Sequence, residues 1–153
     1  MAKTLAVAKY LNELFKNDYS TDMDEMRMHK LMYFSQRESL MYRKELLFSS
    51  EFHGWKFGPV LNEVRNEYRN NDLFEDVCQD MTQDDKKLVD AVYERYKSLD
   101  SWKLSTLSHG ELSWKNSRQG LDPDQNGDVA LRLSDMRLDA VKELVRRTCV
   151  TNQ

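Results

Sequence analysis

The chain has 153 residues, 32% of them charged, and a formal net charge of -3; its mean hydropathy is -0.77. That length fits one domain whose core needs no disulfide or metal staple. Its sixteen aromatic residues exclude a disordered chain, and the slightly acidic balance leaves no global basic footprint for nucleic acid. The apolar stretch between Lys3 and Lys9 is too short for a signal peptide, and no run approaches a membrane span. A cytoplasmic protein with no membrane or nucleic-acid partner is expected.

Only five glycines and two prolines interrupt the chain, which favours helices. Val7, Ala8, Leu11, Leu14 and Phe15 recur at helical spacing and predict a first helix over 4–16. A second, over 24–43, is apolar almost all round and predicts the buried centre of the domain. Residues 46–57 form the one extended segment, with room for one or two short strands. A third helix is predicted to start at Pro59, because proline loses nothing at a first helical turn. Thr82 caps a fourth helix and Asp100 or Ser101 a short fifth ending near His109. A loop covers 119–130, and a last helix over 134–148 is capped by Ser134. The fold class expected is all-α, a single domain of six or seven helices over residues 1–153.

Charge is unevenly spread. Residues 72–94 carry a net charge of -6 and residues 27–69 a net charge of +3. Solvated helix faces explain such runs; an acidic surface around Asp84 and Asp85 that attracts a basic partner is the sharper reading. Cys78 and Cys149 have no metal spacing and read as reduced thiols. Asp122, Asp124, Asn126 and Asp128 match the first half of a calcium loop, with Gly127 at its sixth position. Leu133 stands where the bidentate Glu should be, so a plain polar turn is expected and no metal. His109 and Glu111 could form an acid–base pair beside Ser105 or Ser108, but no nucleophile elbow and no phosphate loop is present. No cofactor is implied.

Three motifs stand in fixed order. They are Lys30-Leu31-Met32-Tyr33-Phe34, then Phe52-His53-Gly54-Trp55-Lys56-Phe57-Gly58-Pro59-Val60, then Leu99-Asp100-Ser101-Trp102-Lys103-Leu104-Ser105-Thr106-Leu107-Ser108-His109 with Glu111 and Trp114 in step. Together, over residues 5–118, they resemble the Panacea antitoxin family, also described as SocA-like or phage-associated GepA-like proteins. Phe57 departs from the family's Tyr, Ser108 from its Thr and Ser113 from its Pro. The resemblance implies an all-α domain that neutralises a protein toxin by binding it. Some members act as adaptors that hand the toxin to an AAA+ protease, and many are found in phages. It implies no enzyme activity. Many members carry a separate DNA-binding segment, and autoregulation by this chain is not expected.

An antitoxin acting by protein–protein binding is therefore the expected function. A phage-encoded protein blocking a host defence toxin and a small helical hydrolase using His109 and Glu111 are the alternatives. His109, Glu111, Trp114, Asp84 and Asp85 are the candidate partner contacts. Lys30, Tyr33, Phe34, Trp55, Gly58, Pro59 and Trp102 are expected to build the structural motif, with Trp55 and Trp102 in the core.

Overall fold

The computed structural model describes residues 1–151, with side chains for residues 1–149. Helix α1 spans Thr4–Tyr19 and α2 spans Glu25–Tyr42; a hairpin of β1 (His53–Trp55) and β2 (Gly58–Val60) follows. Then come α3 (Asn62–Glu67), α4 (Gln83–Tyr96), α5 (Ser101–His109), α6 (Leu112–Ser117) and α7 (Leu133–Thr151). The mainly helical fold expected from the sequence is the one observed.

Helix α2 is the axis of the molecule. Every residue from Met28 to Met41 is buried, because α1, α4, α5, α7 and the hairpin all pack against it. A helix wrapped on all sides cannot keep a polar face in water, so its polar residues bind the surrounding chain. Gln36 donates to the Phe48 carbonyl at 2.7 Å and accepts from the Leu47 amide at 2.7 Å. Ser39 donates to the Glu45 carbonyl at 2.8 Å. On its apolar stripes Phe34 stacks on Tyr96 with centroids 4.5 Å apart, and Tyr33 meets Phe52 edge-on.

The helix starts follow local capping chemistry. Asp24, Thr82 and Asp100 each accept a hydrogen bond from the amide three residues on, opening α2, α4 and α5. Two boundaries differ from expectation. The first turn of α7 is closed by Met136 N–H donating to the Arg132 carbonyl, so Ser134 lies inside the helix and does not cap it. Pro59 lies in β2, and α3 begins only at Asn62. The hairpin register pairs Gly54 with Pro59, and Gly54 N–H points away to the Val129 carbonyl at 2.9 Å. Pro59 thus occupies a position where no ladder donor is needed, which a proline tolerates as well as a helical first turn.

Segment 119–130 is tied back to the same hairpin. His53 bridges to Ala130, and Leu131 N–H donates to the Phe52 carbonyl at 2.8 Å.

Candidate partner-binding site

The three sequence motifs meet at the hairpin turn. The Phe57 carbonyl at its tip accepts from Lys30 Nζ of α2 and from Ser105 Oγ of α5 at 3.0 Å. The Trp55 carbonyl accepts from the Trp114 indole of α6 at 2.8 Å. Gly58 has φ +128°, a region closed to side chains, and a Cβ there would meet Lys30 Nζ and Ser108 Oγ. A tip pinned through two carbonyls from three helices is held rigidly.

Lys30 reaches this carbonyl from inside the molecule and is 2% exposed. No carboxylate lies within ion-pair distance of it among the described residues, and burial holds its ammonium down at about 8. His109 lies flat on Trp114, with ring centroids 4.1 Å apart and planes 3° apart. Its Nε2 is 3.5 Å from Ser105 Oγ. Burial, together with the nearby Lys30 charge, holds the imidazole below its ordinary value. His109 therefore supports the wall that carries the hairpin.

Glu111 turns the other way. Its carboxylate bonds Arg37 and accepts from Tyr33 Oη at 3.0 Å. Burial pushes it up to about 7, against the pull of Arg37. Asp139 of α7 joins this network: it accepts from Tyr33 Oη and caps α6 in trans, taking the Leu112 and Ser113 amides at 2.7 and 2.9 Å. Glu111 is thus an interior group linking α2 to α6 and α7. The His109–Glu111 acid–base pair of the alternative hydrolase reading is not formed, and the Glu111 carboxylate, a candidate partner contact, is engaged inside the fold.

Other expectations are corrected too. Trp102 is 68% exposed and not a core residue; its ring stands edge-on to the exposed Phe57, 6.5 Å away. Trp55 is half-buried, with the Arg65 guanidinium over its ring at 4.5 Å, and forms a surface wall. Asp84 is exposed, but Asp85 is buried and paired with Arg43 at 2.6 Å, so Asp85 is no free acidic contact. In segment 122–128 the Asp122 and Gln125 carbonyls accept from the Arg118 guanidinium, which also donates to the Gly54 carbonyl at 2.9 Å, and the Asp128 carbonyl, the backbone ligand of a calcium loop, faces His53 Nδ1 at 3.0 Å.

Arg37, Asp139, Arg65 and Arg118 escaped the sequence reading; Ser105 was seen only as a possible nucleophile, and it instead donates to the Phe57 carbonyl. Arg37 alone left a signal, as a charge in the middle of a helix predicted to be buried.

Beside the tip lies a cavity of about 410 Å³, lined by Met26, Trp55, Phe57 and Val60 with Lys30, Lys56 and Arg65 around them. Residues 28–115 match the family model described as antitoxin SocA-like, Panacea domain. This chain belongs to that family. Every motif residue that holds the hairpin, from Lys30 to Trp114, falls within the matched Panacea segment. No curated protein and no solved structure matches this Panacea chain.

Proposed function

We propose that this Panacea protein is an antitoxin that neutralises a protein toxin in the cytoplasm by stoichiometric binding, with no catalytic step. The observation that supports this is the fate of the motif residues. Lys30, Ser105, His109 and Trp114 hold the hairpin tip, where Phe57 stands exposed with the exposed Trp102 of α5 beside it. An exposed Trp next to an exposed Phe, carried on a rigid support, suits a binding anchor. A hydrolase reading lacks its pair, since Glu111 faces Arg37 and His109 faces Trp114.

The test is co-expression with the toxin encoded beside this gene, scored by growth rescue against antitoxin dose. Rescue that requires about one copy per toxin supports binding; full protection at far lower ratios would refute it, as a catalyst turns over. Delivery of the bound toxin to an AAA+ protease is the extension suggested by the family. Toxin half-life in cells with and without the protease separates delivery from masking. A phage-encoded protein blocking a host defence toxin would act through the same contact.

A further inference from the structure

The cavity beside the hairpin tip has a charge imbalance. Its floor and walls are apolar side chains, Met26, Trp55, Phe57 and Val60, and its volume of about 410 Å³ lies in the range of pockets that take ligand-sized groups, about 300–1,000 Å³. Lys30, Lys56 and Arg65 line it against a single carboxylate, Glu25. That carboxylate is already engaged: it bonds His29 Nε2 at 2.9 Å and lies 3.8 Å from Arg65 Nη1. Lys30 and Lys56 have no carboxylate partner among the described residues. A buried ammonium bonded to one neutral carbonyl keeps unspent donors and an uncompensated field.

We propose that this cavity receives a short segment of the protein partner in which a large apolar side chain neighbours an aspartate or glutamate. The apolar side chain enters between Trp55 and Val60, and the carboxylate faces Lys30, Lys56 and Arg65. Phe57, shared between the cavity and the Trp102 face, makes the two one continuous surface. The assignment rests on the antitoxin reading for the partner being a protein, and it is argued from charge complementarity. Two features disfavour a nucleic acid: Glu25 sits in the wall, and the chain as a whole carries a net charge of -3. The inference also reverses the expectation that the acidic stretch around Asp84 meets a basic partner.

Two arms on the full chain test it. Panning a random-peptide phage library on the immobilised protein should enrich sequences pairing a large apolar residue with Asp or Glu. A synthetic peptide of the enriched sequence should lose about tenfold or more in affinity for Lys56→Glu/Arg65→Glu, and should bind Asp84→Lys within about twofold of the parent. Thermal melts verify that the variants fold. If the double variant does not, Lys56→Glu and Val60→Arg carry the comparison, since both sites lie at the cavity and neither closes an ion pair. Basic or uncharged consensus peptides, equal affinity for all variants, or displacement of the peptide by an oligo-dT strand would each overturn the proposal. Growth rescue is scored separately. If Lys56→Glu/Arg65→Glu rescues as well as the parent, the cavity proposal falls and the antitoxin reading stands. If the parent gives no rescue while peptide specificity holds, the antitoxin reading falls and the cavity's chemistry stands.

Discussion

Replacing Lys30 by Met asks whether the hairpin tip is held at the expense of stability. Lys30 is 2% exposed, and burial lowers its ammonium from 10.5 to about 8. At about 1.4 kcal/mol for each pH unit of displacement, keeping it charged in the folded chain at pH 7 costs about 3 kcal/mol. Methionine retains most of the stem and removes the charge. It also forfeits the bond to the Phe57 carbonyl, worth about 1 kcal/mol, but Ser105 still donates to that oxygen. Lys30→Met should therefore be more stable at pH 7 by about 2 kcal/mol, a rise in Tm of about 4–8 °C for a domain of this size. The sign with pH is fixed by the direction of displacement. With its folded value depressed, the unfolded chain binds the extra proton above about pH 8, so wild-type stability rises there. Between pH 7 and pH 9 the wild type should gain about 1 kcal/mol and the variant should not. Urea unfolding across that range measures both. A variant less stable than wild type at pH 7, or a wild type flat between pH 7 and 9, would refute the reasoning.

Three further outcomes follow from the same geometry. Burial raises Glu111 from 4.5 to about 7, so its contribution to stability is complete below about pH 4.5 and is lost as pH rises through 7. Between pH 5 and 7 the wild type should lose on the order of 2 kcal/mol from this group, and Glu111→Gln should flatten that decline in urea midpoints. Trp102→Ala should change stability by less than about 0.5 kcal/mol, because the ring is 68% exposed; titration calorimetry should show a loss of about 2 kcal/mol or more in toxin binding if it is an anchor. Calcium at millimolar concentration should leave Tm within about a degree, since the Asp128 carbonyl, the loop's one backbone ligand, already faces His53 Nδ1 and no three Asp, Glu, His or Cys side chains gather to hold an ion among the described residues; a rise abolished by Asp122→Ala would show a real site.

The central helix was legible because its apolar residues, among them Met28, Leu31, Met32, Tyr33, Phe34, Leu40 and Met41, cover more than one face and report burial; the burial of Lys30, Gln36, Arg37 and Glu38 between them is a tertiary fact. The caps at Thr82 and Asp100 were legible because a cap is a local event between residues three apart. Pro59 was misplaced because its ring suits both a helical first turn and an unbonded strand position, and only the pairing with Gly54 decides between them. Helix α6 was missed because its cap comes from Asp139, 27 residues beyond the Leu112 amide that it binds. Trp102 was placed in the core as a large motif aromatic; nothing in its neighbourhood along the chain states that α5 turns that face outward. The family match made the motif residues visible, but their work in pinning carbonyls is a tertiary fact.

The same geometry explains why His109 and Glu111, neighbours in the sequence, do not form an acid–base pair. His109 and Glu111 are two residues apart, and α5 ends between them at Gly110. The imidazole is left against Trp114 on the hairpin side, and the carboxylate is carried inward to Arg37 and Tyr33. General acid–base catalysis needs both groups within reach of one reacting atom. What the two positions share instead is α6: Glu111 precedes it and bonds the core, while Trp114 within it bonds the hairpin. Short helix α6 is thereby anchored at one end by Asp139 and used at the other to hold the Trp55 carbonyl. A binding surface gains from such anchoring because association then freezes fewer degrees of freedom. The buried charge of Lys30 is the cost of that rigidity, and its removal is expected to reveal the trade: a more stable fold whose hairpin tip keeps only the Ser105 bond to the Phe57 carbonyl.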